Sequence, residues 1–151
     1  MSAALKTETY EVVKKILSDK LDELDKTAAR LQESKTSEDK SSAGDKHETG
    51  RAMMHLEEEK LARQRTETIS LTGALQNLNP KDICQKAVLG ALLDTSRGWF
   101  YLSVGLGKID VGSQAVVVIS LGSPIGHLLF GTEAGDSFTF NGNKFDIKGV
   151  S

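Results

Sequence analysis

Apolar residues in the first half of the chain recur at the spacing of a helix that packs along a partner helix. They step by three or four positions from residue 17 to residue 31, and a compatible pattern resumes between residues 54 and 78. This spacing keeps an apolar stripe on one side of each helix and is typical of coiled coils. The stripe positions are Leu17, Leu21, Leu24, Ala28 and Leu31, and then Met54, Leu61, Leu71, Leu75 and Leu78. The pattern predicts two long, paired helices.

The segment between the two stripes is polar. Residues 34–50 contain no large apolar side chain and are rich in the residue types of turns and caps. Polar residues also fall within the second stripe, at Glu57, Gln64 and Thr68, so pairing is expected to weaken toward this segment. We therefore predict two antiparallel helices joined at a polar tip near residues 38–50, with about 30 residues and about 45 Å in each. The alternative, two chains that dimerise in parallel, leaves the polar break unexplained.

The second half of the chain carries the shorter patterns of strands and turns. Apolar or β-branched runs at 87–93, 99–104 and 115–119 predict strands. Ser123 and Pro124 suit the N-cap and first turn of a short helix over 125–130, and Gly131 suits its end. Alternation over 137–140, followed by Asn141-Gly142 and a return through Phe145, predicts a hairpin. We expect a small antiparallel sheet packed on one short helix.

Composition divides the chain at the same place. Only three of the 14 glycines precede Pro80, whereas 28 of the 40 charged residues do. Long helices exclude glycine and tolerate surface charge, while short strands and turns use glycine freely. The sequence thus predicts an α+β protein with a helical domain over residues 1–79 and a β-rich domain over residues 80–151.

Charge and cysteine content restrict the classes of function. The formal net charge is -2 and the isoelectric point is about 5.9, so no strongly basic surface is expected for direct nucleic-acid binding. The single cysteine, Cys84, excludes an internal disulfide and a cysteine-based metal cluster. No apolar run reaches the roughly 20 residues of a membrane span, and the first residues lack the apolar core of a signal peptide. We expect a soluble, cytoplasmic protein.

An ordered set of residues in the second half resembles the Gre family of bacterial transcript-cleavage factors. It consists of a strand ending in Ile119-Ser120, a Ser123-Pro124 helix start, small and leucine-like residues up to Gly131, and then Gly135-Asp136. The resemblance implies an N-terminal antiparallel coiled coil followed by an FKBP-like domain. It also implies that the region around Ser123 and Pro124 docks on RNA polymerase.

A second element of the resemblance lies at the predicted tip. Residues 44–48 read Gly-Asp-Lys-His-Glu, which is similar to the Gly-Asp-x-x-Glu of Gre factors. The resemblance implies that Asp45 and Glu48 enter the secondary channel of RNA polymerase and help to hold a second Mg²⁺ ion in its active centre. A spacing of three residues puts both carboxylates on one face of a helix, and Mg²⁺ prefers such oxygen ligands.

Two carboxylates alone do not make a magnesium site, so the resemblance implies no enzyme activity and no cofactor of its own. The Mg²⁺ would be shared with the polymerase. We expect a monomer whose partner is RNA polymerase. The monomer would contact nascent RNA only through the polymerase complex, and it would bind no membrane.

The tip and the helix start also depart from the family pattern. Thr49, Gly50 and Arg51 follow the glutamate where Gre factors usually carry further acidic or aromatic residues, and Gly122 replaces a polar residue before Ser123. The alternatives are a channel-binding inhibitor or anti-backtracking factor without cleavage activity, and a coiled-coil interaction protein unrelated to polymerase. Taken alone, Asp45 and Glu48 would be ordinary helix-start residues that favour the helix dipole.

Three other groups of residues have a possible functional role that we weigh against a structural one. Lys60, Arg63 and Arg65 are candidates for a basic patch, although solvated flanks of a coiled coil carry such charges equally often. The aromatic run 99–101 is assigned to the core rather than to a prolyl isomerase pocket, for which we expect no activity. The histidines show no metal-ligand spacing.

Overall fold

A computed structural model describes residues 2–39 and 44–151 of the chain, and the side chains of residues 2–34 and 49–151. The fold is α+β: two long helices precede a six-stranded mixed sheet that carries a third, short helix. The helices are α1 (Ser2–Asp39), α2 (Gly44–Gln76) and α3 (Pro124–Leu129). The two predicted long helices are therefore confirmed. In the described part of the chain, none of the helices combines the length and apolar character needed to cross a membrane.

The chain forms two compact units. The helical unit comprises Lys15–Thr72, and the sheet unit comprises Met1–Lys14 together with Gly73–Ser151. The first turns of α1 thus belong with the sheet, although their sequence is helical. The composition-based division at residues 79 and 80 stays a prediction about independent domains.

Within the helical unit, α1 and α2 lie side by side. The Arg65 Nε atom is 2.8 Å from the Asp25 Oδ1 atom, which joins the middle of one helix to the middle of the other. Because α2 begins only a few residues after α1 ends, this contact requires the two helices to run in opposite directions. A groove of about 240 Å³ lies between them; its apolar lining consists of Leu24, Ala28, Leu31, Leu61 and Ala62.

Burial along the helical unit follows the predicted stripes except at Ala28 and Glu57, which are exposed. Leu17, Leu61 and Thr68 are buried, whereas Leu24 and Leu31 are only half-buried. Pairing is therefore loose toward the predicted tip, as the polar residues of the second stripe suggested. Glu57 was predicted to lie on the stripe of α2, but it is exposed. Its neighbour Glu58 is half-buried and lines the groove instead. Residues three and four positions before Leu61 both lie near its side of the helix, so the spacing alone did not distinguish Glu58 from Glu57.

The sheet is mixed, and the prediction of an antiparallel sheet was wrong in this respect. Its order is β3-β4-β2-β1-β6-β5, and the β2–β4 pair is parallel while the other neighbouring pairs are antiparallel. The parallel pair arises because β3 crosses to the far side of β4 before the chain returns. The strands are β1 (Leu92–Thr95), β2 (Gly98–Leu102), β3 (Gly107–Val111), β4 (Gln114–Ile119), β5 (Ser137–Phe140) and β6 (Asn143–Val150).

The segment before β1 differs from the predicted strand over 87–93. Only its last two residues are in β1, because Gly90 has a φ of 93° and turns the chain. The backbone of Ala87 instead pairs with the end of α3: its N–H donates to Thr132 O at 2.8 Å, and its carbonyl accepts from Gly131 N–H at 2.7 Å. An apolar run can thus be buried beside a helix end without joining the sheet.

The two faces of the sheet are covered differently. Alternate residues of a strand point to opposite faces. On one face, Phe100 and Leu102 of β2 belong to a core that includes Leu129 of α3. On the other, Tyr101 is fully buried and the first turns of α1 provide cover. The cover residues that are themselves buried are Leu5, Lys6, Thr9 and Val13.

The β5–β6 hairpin is confirmed at the predicted turn. Asn141 and Gly142 both have positive φ values, 52° and 78°, as the two central residues of a type I′ turn require. The turn sets a register in which Phe138 lies opposite Phe145, and the two rings stack with centroids 5.0 Å apart.

Candidate functional site

The start of α3 is fixed by local hydrogen bonds. Ser123 is the N-cap: its Oγ atom accepts from Gly126 N–H at 3.1 Å and donates to Ser120 O at 2.8 Å. Pro124 occupies the first helical position, where a missing N–H has no cost. These contacts confirm the helix start predicted from sequence, and they make the Ser123-Pro124 turn a rigid part of the surface.

Glycine is required at position 126. A Cβ atom there would lie 2.1 Å from the carbonyl oxygen of Ser120 and 2.8 Å from the Ser123 Oγ atom. Both distances are far below van der Waals contact, and the nearest atom belongs to the backbone. The close approach of α3 to the end of β4 therefore depends on Gly126, and it fixes which face of α3 points outward.

The exposed side of α3 and of its C-cap, Phe130, carries both polar and apolar side chains. Leu129 is fully buried in the core, whereas Leu128 is 41% exposed and Phe130 is 55% exposed. His127 and Gly122 are also exposed. A short helix that is rigidly held and presents two large apolar side chains to solvent is suited to contact another protein.

The sequence-predicted tip residues are only partly described. α2 begins at Gly44, so the backbone of Asp45 and Glu48 lies within the first two turns of this helix. Their side chains, like that of His47, lie outside the described residues. Among the side chains that the structure does describe, no group of three His, Cys, Asp or Glu residues is arranged to hold a metal ion.

The residues of the candidate basic patch on α2 differ in their contacts. Arg65 forms the ion pair with Asp25, which links the two helices. Lys60 and Arg63 are exposed on the same helix. His55 lies one turn away from Glu59, with 3.2 Å between Nε2 and Oε1. Arg65 thus has a structural role, and the surface keeps both signs of charge.

The aromatic run on β2 belongs mainly to the core, as predicted. Phe100 packs edge to face against Phe145, with ring centroids 5.9 Å apart. Tyr101 is fully buried on the opposite face, and burial raises its pKa, with smaller contributions from Tyr10 and Cys84. Trp99 is half-buried at the edge of a small cleft.

The structure also brings together residues that sequence reasoning did not connect. Lys6 of α1 is 2% exposed, and its Nζ atom donates to Asp82 O at 2.6 Å and to Cys84 Sγ at 3.7 Å. Sequence distance hides this cluster, because Lys6 is 76 residues from Asp82 and 78 residues from Cys84. The available signal was the spacing of Leu5, Thr9 and Val13, which places their neighbour Lys6 close to a buried stripe.

Comparisons of this chain with protein-family models, with curated proteins and with solved structures give no match. The functional argument therefore depends on the residues and contacts of the chain itself.

Proposed function

We propose that this chain is a Gre-like factor of bacterial RNA polymerase that stimulates hydrolysis of backtracked RNA. In this proposal, α1 and α2 form an antiparallel coiled-coil hairpin whose tip carries Asp45 and Glu48 into the secondary channel. The sheet and α3 form an FKBP-like docking domain that contacts the channel rim around Ser123 and Pro124. The protein would work in the cytoplasm as a monomer.

The observation that carries the proposal is the position of the acidic pair at the start of a long helix. Asp45 and Glu48 lie within the first two turns of α2, whereas the contact between Asp25 and Arg65 lies about 20 residues further along that helix. At 1.5 Å per residue, the 33 residues of α2 span about 50 Å. A helix of this length, paired with α1, is suited to carry a pair of carboxylates deep into a pore.

The chemistry of the pair supports a role beside a metal ion rather than independent catalysis. Asp45 and Glu48 supply hard oxygen ligands and would hold a Mg²⁺ ion together with groups of the polymerase. When bound, a second Mg²⁺ ion activates water and stabilises the charge of the leaving oxygen in phosphodiester hydrolysis. The contribution of this chain is to position the two carboxylates, so it is not itself an enzyme.

The docking part of the proposal is supported by α3. Ser123 and Gly126 hold this helix against the end of β4, and Leu128 and Phe130 are exposed beside it. Burial of such side chains against a partner contributes about 25 cal/mol per Å² of apolar area. Rigid presentation also reduces the entropy lost on binding.

A cleavage assay on backtracked complexes tests the function. We expect the wild-type chain to accelerate RNA cleavage, and we expect Asp45→Asn and Glu48→Gln each to reduce the stimulation by about tenfold or more while polymerase binding is retained. Added Mg²⁺ should partly rescue both variants, because the ion is then held by fewer ligands. Glu67→Gln, an exposed change on the same helix, is the matched control and should leave cleavage unchanged.

The same assay separates the alternatives. Binding to polymerase without accelerated cleavage would indicate a channel-binding inhibitor or anti-backtracking factor, the outcome that Thr49, Gly50 and Arg51 favour by departing from the Gre pattern. Absence of polymerase binding in a pull-down would end both proposals and leave an unrelated interaction protein. Phe130→Ser should weaken the pull-down, whereas Ile83→Ser, an exposed apolar residue outside α3, should not.

A further inference from the structure

The buried ammonium group of Lys6 has an unusual set of partners. Burying a charged group costs several kcal/mol unless it is paired, and lysines are seldom buried without a carboxylate. Lys6 is 2% exposed, yet its two hydrogen-bond partners are the backbone oxygen of Asp82 and the sulfur of Cys84. Among the described residues, the Cys84 sulfur is thus the side-chain atom that accepts a hydrogen bond from the Lys6 Nζ atom.

Cys84 can be reached from solvent. It is half-buried and lines a surface cleft together with Asp82 and Leu89. Its sulfur thus contacts a buried cation and also borders a cleft that is open to small molecules. A nearby cation and access from solvent are the two features that make a cysteine reactive toward oxidants.

A third group next to this pair lacks a partner. Tyr101 is fully buried, and its hydroxyl makes no hydrogen bond to any group in the described part of the chain. Cys84 and Tyr10 are close enough to contribute to the raised pKa of Tyr101. A buried hydroxyl without an acceptor costs about 1–3 kcal/mol. An oxygen atom on the Cys84 sulfur would be an acceptor within this cluster.

We propose that Cys84 is a site of oxidation by a small hydroperoxide, with Lys6 as its positioning residue. The thiolate sulfur attacks the terminal peroxide oxygen, so that an S–O bond forms and the O–O bond breaks. Sulfur is oxidised by two electrons to the sulfenic acid, and the peroxide is reduced. The leaving group is an alkoxide, or hydroxide when the oxidant is hydrogen peroxide, and it takes up the proton that the thiol released. The ammonium group of Lys6 stabilises the thiolate and the anion that leaves. This proposal does not depend on any role in transcription.

The single cysteine of the chain makes the first test independent of any substitution. Hydrogen peroxide is added to the native protein and to the protein unfolded in urea at the same pH, and the sulfenic acid is trapped with dimedone and measured by intact mass. We expect the native chain to react about tenfold faster than the unfolded chain, because only the folded state places Lys6 beside the sulfur. A native rate equal to or below the unfolded rate overturns the proposal.

The second test separates positioning from a structural role. Lys6→Met removes the charge at similar volume, and Lys6→Arg keeps it. We expect Lys6→Met to slow trapping about tenfold at neutral pH, and Lys6→Arg to restore most of the rate.

Lys148→Met, an exposed change on β6, is the control and should react like the wild type. Trp99 fluorescence verifies that each variant is folded, and Cys84→Ser should trap no dimedone. If Lys6→Met reacts as fast as the wild type, Lys6 does not act on the sulfur and the proposal fails. If that variant does not fold, the comparison of native and unfolded wild type decides.

Discussion

The sheet unit and the helical unit bury their apolar side chains to very different extents. In the sheet unit, Leu93, Leu102 and Leu129 are fully buried, and the core continues on both faces of the sheet. In the helical unit, Leu17, Leu61 and Thr68 are the only buried residues among those whose side chains are described. The sheet unit is therefore held by nonlocal packing, whereas the helical unit depends more on the intrinsic stability of its helices.

In the function that we propose, this contrast would suit two different tasks. A long paired-helix element needs a charged, solvated surface along its length, and it can be stable with a narrow apolar seam. A docking unit must hold a short helix and its surface side chains in one place, which requires dense packing behind them. The following predictions test how far the two units differ in stability, and they run from the largest expected effect to the smallest.

Gly126→Ala should cause the largest loss of stability. The added Cβ atom would lie 2.1 Å from the Ser120 carbonyl oxygen, so α3 must move away from the sheet. We expect a decrease of roughly 3–5 kcal/mol in the free energy of unfolding, measured by urea titration of Trp99 fluorescence. Gly73→Ala is the control: no atom lies within 4 Å of its Cβ position in α2, so the change should stabilise by about 0.5–1 kcal/mol.

Leucine truncations compare the two units directly. Leu129→Ala removes a fully buried side chain and should cost about 3–4 kcal/mol, whereas Leu24→Ala removes a half-buried one and should cost about 1–2 kcal/mol. Trp99 is the only tryptophan and reports on the sheet unit, while far-ultraviolet circular dichroism is dominated by the long helices. Equal losses for both variants would contradict the difference in packing.

Tyr101 should make the sheet unit sensitive to alkali. Burial raises its pKa, so the folded chain keeps a proton that the unfolded chain loses above about pH 10. This contribution is fully present below that pH, and stability then falls by about 1 kcal/mol per pH unit as the pH rises through the folded value. Tyr101→Phe should remove this decline. It should also raise the free energy of unfolding at neutral pH by about 1–3 kcal/mol, because it removes a buried hydroxyl that has no partner among the described residues.

The ion pair between Asp25 and Arg65 should contribute least. Both side chains are about half exposed, at 51% and 50%, so solvent screens their interaction. A double-mutant cycle with alanine at both positions should give a coupling free energy of about 0.2–1 kcal/mol that decreases in high salt. A larger coupling would mean that this contact, rather than the apolar seam, holds the two helices together.

Local signals were the most reliable part of the sequence. The N-cap at Ser123 with Pro124 after it, and the positive φ values of Asn141 and Gly142, were predicted correctly because each depends on residues within a few positions. The strand over 87–93 was misplaced, and β3 was not predicted. In β3, only Val111 is buried and three of its five residues are exposed, so its sequence lacks the apolar pattern of a core strand.

The residues singled out as candidate sites also divide into those recognised from local motifs and those joined only by a long-range contact. Asp45, Glu48, Ser123 and Pro124 were found from short motifs, and the structure places the latter two on a rigid helix start. Lys6 and Cys84 were not connected, because the contact between their side chains spans 78 residues. No local pattern distinguishes a lysine that points into a fold from one that points into solvent.

By itself, the sequence determined the two long helices, the α+β composition, the α3 start and the last hairpin. The hydrophobic periodicity, the capping residues and the turn residues each act over only a few positions, so their effects can be recognised in the sequence. Tertiary structure alone decided the parallel pairing of β2 with β4, the packing of the first turns of α1 on the sheet, and the burial of Lys6 beside Cys84. Those features arise from the burial of apolar surface between distant segments, and many sequences with the same local pattern could pair their strands in another order.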